Sequence, residues 1–203
     1  MPKSDPAAAK REEQKKTRKW VVSIFFLTIF ISGVISLVSD MVMERSNIIV
    51  AFVILLLIVV VGIIFDIIGM AVASADEKPF HAMAARKVPG AKESIKLLRN
   101  AERVSSICND VVGDICGVVS GSASATIAAQ ILANFTFGWP DVVSLAMSSL
   151  VAALTVGGKA IGKSFAVNSS TSIVYLTGQL IYALQHIPEL FRKKNRNNKK
   201  SKG

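Results

Sequence analysis

Three carboxylates and one ammonium interrupt stretches of this 203-residue chain that are otherwise apolar: Asp66, Asp110, Asp114 and Lys159. An ionisable group inside a membrane span costs at least about 2.5 kcal/mol and by default marks a functional site. Asp66 is the only charged residue in the run 48–72. Asp110 and Asp114 are spaced i, i+4, which places them on one face of an α-helix. Carboxylate oxygens suit hard divalent cations such as Mg²⁺, so these three residues are the candidate metal ligands. Gly69 and Gly113 would open the backbone beside them, with Gly158 and Lys159 lining the same place. The competing reading is structural: Asp66 pairs with Lys159, and Asp110 sits wet and inert among headgroups. The residues alone leave both open.

Helices must carry these charges into lipid. The run 48–72, IIVAFVILLLIVVVGIIFDIIGMAV, has no polar stripe at helical period and is therefore not a soluble amphipathic helix. At about 1.5 Å per residue it is roughly 37 Å long, enough to cross a hydrocarbon core of about 30 Å. A charge-free run at 20–38 precedes it, with Trp20 at interface depth. The basic stretch before that run is long and no small-x-small cleavage site follows, so an uncleaved span is preferred to a signal peptide. A third span at 104–135 is rich in small residues, with Gly113, Gly117 and Gly121 recurring every four. Such spacing lets helices approach closely, either inside one bundle or across a dimer. A fourth span covers 142–162.

Two further segments, 91–103 and 171–187, are amphipathic and read as interfacial helices. A fifth crossing at 171–187 is the alternative, but it would send the basic tail outside. The expected class is therefore all-α: a polytopic membrane protein with four transmembrane helices plus amphipathic interfacial helices. A basic tail at 1–19 precedes the membrane domain at 20–190, and a second basic tail covers 191–203.

Charge distribution sets orientation. Of 24 Lys and Arg, only Arg45 falls in an outer turn of this topology. Both termini are therefore expected to be cytoplasmic, in the plasma membrane. Asp66 then lies roughly 9 Å into the membrane from the cytoplasmic side, and Asp110 and Asp114 roughly 9 and 15 Å. The net charge of +10 points to anionic lipid headgroups rather than nucleic acid, because no nucleic-acid motif accompanies it. Cys108 and Cys116 are too far apart along one helix to bridge. His81 and His186 have no nucleophile or ligand spacing around them, so no enzyme and no required cofactor is expected.

A resemblance joins these features. The segment 157–184, GGKAIGKSFAVNSSTSIVYLTGQLIYAL, is similar to the helix exit G-E-x-x-P-K-x-x-A of the CNNM/CorC (CorB-type) magnesium transporters. Gly158, Lys163 and Ala166 match that motif, and Leu176, Leu180 and Leu184 follow at the spacing of its juxtamembrane helix. In 90–114, Leu97, Leu98, Glu102 and Arg103 match the family's L-L-x-x-P-E-R, with Gly113 and Asp114 standing for its later Gly-Asn. The segment 65–77 resembles its first helix. The likeness implies a transmembrane domain that transports or senses Mg²⁺, as a homodimer, here without CBS domains. The departures fall on the ion chemistry: the family's Glu is Lys159, its Pro is Gly162 and its Ser is Asp66. The alternative they suggest is a non-transporting scaffold or accessory subunit with a degenerate ion site.

Overall fold

The computed structural model describes residues 6–44, 46–134 and 138–200, with side chains at 15, 17–39, 41–43, 46–134 and 138–186. Among the described residues there is no strand, and eight α-helices and one π-helical segment follow in order. They are α1 (Pro6–Glu44), α2 (Ile48–Ser74), α3 (Lys78–Ala85), α4 (Ala91–Arg99), α5 (Ala101–Ser106), the π segment (Ile107–Gly113), α6 (Asp114–Asn134), α7 (Pro140–Asn168) and α8 (Ser170–Lys200). Among the described residues, four stretches are long and apolar enough to cross a membrane: Thr17–Met43, Ile48–Ser74, Ala101–Asn134 and Pro140–Asn168. The protein is an all-α polytopic membrane protein.

The boundaries depart from the sequence expectation in three places. Residues 75–90, expected as loop, contain α3, because Pro79 sits in its first turn, where a missing N–H costs nothing. The expected helix 91–103 breaks at Asn100, whose N–H turns back to the Leu97 carbonyl, so residues from Ala101 onward belong to the third span. The fourth helix runs on to Asn168 rather than ending at 162. The turn expected at 136–141 lies partly outside the described residues.

The chain divides into two compact units, residues 1–59 with 115–152, and residues 60–114 with 153–203. In the first, burial repeats every four residues: Ala51, Leu55 and Val59 on α2, and Val119, Ala123 and Ile127 on α6. Two of its buried serines bond within their own helix, Ser120 donating to the Gly117 carbonyl and Ser124 to the Gly121 carbonyl, while the buried Ser39 hydroxyl has no hydrogen-bond partner. The Gln130 amide, from α6, donates to the Met43 carbonyl of α1 at 2.8 Å.

The second unit is built around Ala71, Val72, Phe80, Ala166 and Val174, with Ile67, Leu98 and Ile173 packed against them. Its tightest contact joins α4 to α8. A Cβ at Gly178 would fall 2.6 Å from the Gly90 carbonyl oxygen, so only glycine permits this approach. Gly90 itself has φ +84°, a left-handed conformation that opens α4 without a Cβ penalty. Ser94 closes the contact, its hydroxyl 3.1 Å from the Val174 carbonyl oxygen. The opposite face of α8 exposes Leu176, Leu180 and Leu184.

Candidate functional site

Glycines bring the charged helices of the second unit together. Gly158 and Gly162, one turn apart on α7, lie against Ile63 and Ile67, one turn apart on α2. A Cβ at Gly162 would come within 2.8 Å of the Ile67 Cγ1, so a larger residue must displace that side chain or the helix carrying it. The residues following these glycines, Lys159 and Lys163, thereby reach the carboxylate of α2. Lys159 Nζ is 3.9 Å from Asp66 Oδ1, and Lys163 Nζ is 3.6 Å from Asp66 Oδ2.

Asp66 is 2% exposed. Taking one carboxylate out of water costs several kcal/mol even after relaxation. One ammonium near 4 Å returns about 4 kcal/mol of Coulomb energy at an effective dielectric constant of about 20. A single partner therefore roughly breaks even. The second, Lys163, is half exposed and adds less. Together they account for a charged group at this depth, although Asp66 Oδ2 accepts no hydrogen bond.

The π segment supplies the other wall. Each i→i+5 bond spans one residue more than the i→i+4 bond it replaces, which shifts the helical phase and alters which carbonyls face inward. At its end the Gly113 carbonyl accepts a hydrogen bond from Lys159 Nζ at 3.2 Å. Gly113 packs closely here: a Cβ would sit 3.2 Å from Asp66 Oδ1, so a larger residue would require the carboxylate to give by a few tenths of an ångström. Within the segment, Asn109 packs on Gly69, its amide N–H donating to Ser105 Oγ while its buried Oδ1 has no hydrogen-bond partner.

The expected ligands divide. Asp66 and Asp114 meet at Lys159, whose ammonium is 3.9 Å from each, though the Asp114 side chain is largely exposed. Asp110 does not join them. It accepts a hydrogen bond from Ser106 one turn earlier, at 2.7 Å, and is exposed. The expectation that i, i+4 spacing would align Asp110 with Asp114 assumed α-helical phase through a stretch that is π-helical. Among the described residues, no three His, Cys, Asp or Glu side chains gather closely enough to hold a metal ion. Of the residues expected to line this place, Gly113 and Lys159 lie at the charged cluster, whereas Gly69 packs on Asn109 and Cys108 and Gly158 on Ile63.

Two participants were missed. Lys163 entered only as part of a motif match, and Asn109 not at all. A signal for Lys163 existed: it follows Lys159 by four residues, in step with Gly158 and Gly162. The histidines stay local, His81 3.6 Å from Glu77 and His186 Nδ1 2.8 Å from the Tyr182 carbonyl oxygen. Comparison with family models, curated proteins and solved structures finds no match to this chain.

Proposed function

We propose that this protein is a membrane domain that moves or senses a divalent cation such as Mg²⁺ at Asp66, in the manner of the CNNM/CorC transporters its sequence resembles. The observation that carries this reading is a fully buried carboxylate, deep in an apolar helix, facing a π-helical segment. Isolated π turns are frequent at functional sites, and ionisable residues in spans commonly mark ion pathways. The oxygens at hand are the Asp66 and Asp114 carboxylates and the Gly113 carbonyl. One or two carboxylates with retained waters is the usual coordination for Mg²⁺. Mg²⁺ is cargo or signal here, not a cofactor.

The setting follows the charge pattern. Lys and Arg concentrated beside one end of each span support cytoplasmic termini, a plasma-membrane location and contact with anionic headgroups. Gly117 and Gly121 have no neighbour within 4 Å of a Cβ position among the described residues, which supports a homodimer through that small-residue face.

A second reading rests on the same ion pairs. Two ammonium groups already compensate Asp66, as a scaffold or accessory subunit with a degenerate site would need. Thermal unfolding of purified protein in lipid nanodiscs, with and without Mg²⁺, separates the two. Cation transport or sensing predicts a Mg²⁺-dependent rise in melting temperature that Asp66→Asn abolishes. A response unchanged in that variant, or absent from the wild type, favours the scaffold.

A further inference from the structure

The oxygens named above converge on an occupied position. Lys159 Nζ stands 3.2 Å from the Gly113 carbonyl oxygen and 3.9 Å from one oxygen of both Asp66 and Asp114. These groups come from α2 and from the junction where the π segment passes into α6, so a single ammonium on α7 ties two other stretches of chain together. Gly113 lies directly against the ammonium, its Cβ position 3.4 Å from the nitrogen. The lysine side chain is 19% exposed, and its long flexible stem lets the ammonium be displaced without moving the helix. Lys163 grips the other Asp66 oxygen independently, at 3.6 Å.

We propose that Lys159 is a tethered cation that occupies the ion position and competes with the divalent ion for it, while Lys163 keeps Asp66 compensated during the exchange. The inference rests on the cation-handling reading above and adds its regulation: loading requires the Lys159 ammonium to leave. Two ammonium groups and two carboxylates balance in this arrangement, so the site without a divalent ion carries no net charge to attract stray cations. The arrangement makes the two lysines unequal despite their shared partner. Lys159 touches all three oxygen-bearing groups, whereas Lys163 touches Asp66 alone.

The test uses Mn²⁺ as a paramagnetic probe, titrated into the full-length protein in nanodiscs and read by the loss of free-ion signal. Lys159→Gln removes the competing charge and leaves Asp66 paired with Lys163, so the expected result is Mn²⁺ affinity raised at least about tenfold. Lys159→Met, which keeps the aliphatic stem, is the second variant if the glutamine protein is poorly folded. Lys159→Arg keeps the charge and is expected to stay within about threefold of the wild type. Wild-type binding with no gain in Lys159→Gln or Lys159→Met overturns the competition while sparing the cation site. A gain in Lys159→Arg equal to that of the neutral variants also overturns it. No binding by any variant, including wild type, removes the cation site and the competition together.

Discussion

The two units solve the same problem, packing helices in lipid, with different chemistry. Residues 1–59 and 115–152 bury mainly apolar and small side chains, and Ser120 and Ser124 bond to carbonyls three residues back on their own helix. Among its described residues no charged side chain is buried. Residues 60–114 and 153–203 bury a carboxylate, interrupt a span with a π turn and depend on glycines where helices touch. Stability in the first unit is thus spread over many interchangeable contacts. In the second it hinges on a few atoms that cannot be replaced singly, which is the usual signature of a place where structure has been subordinated to chemistry.

The contrast is open to attack by substitution. Asp66→Lys would crowd three ammonium groups at one point, and the expected cost is about 3–5 kcal/mol, read as loss of a folded, monodisperse species. Adding Lys159→Asp to that variant should restore much of the loss. Gly178→Val is next: its side chain would overlap the Gly90 carbonyl, costing about 1–3 kcal/mol and exposing the α3–α4 connection. Trypsin cleavage at Arg86 and Lys87 reports that release. Gly162→Leu should cost a similar amount by separating α7 from α2, and should take any Mg²⁺ response with it. Gly121→Leu, in the other unit, meets open space. It should leave monomer stability within about 0.5 kcal/mol, while abolishing any dimer seen by light scattering. Smallest of all, Leu180→Gln on the exposed face of α8 should leave unfolding unchanged and only reduce quenching of an α8 fluorophore by brominated lipid.

How much of this was legible in the residues depends on whether a feature is local. Asp66 stood out because a carboxylate in an apolar run has no innocuous explanation, and its pairing with Lys159 was one of two readings from the start. The four spans follow from hydropathy alone. Asp110 was misplaced because periodicity arguments presuppose α-helical phase, and ICNDVVG has no composition that distinguishes a π turn from an α turn. That geometry is decided by what the segment packs on, here Gly69 of α2 through Asn109. Lys163 was overlooked because the fourth helix was ended at residue 162, where apolar character fades but backbone bonding continues to Asn168. The α4–α8 contact was invisible for a related reason: Gly90 and Gly178 read as a turn residue and a helix blemish until the two are seen face to face.

The central claim is that Asp66 and Lys159 form one interacting unit across α2 and α7. A double-mutant cycle of Asp66→Asn and Lys159→Gln, measured by equilibrium unfolding in metal-free nanodiscs, addresses it directly. Interaction predicts that the double variant is more stable than the sum of the single losses by about 1–3 kcal/mol. Losses that add to within about 0.5 kcal/mol would mean the two groups do not sense each other, and the account built on them would fail.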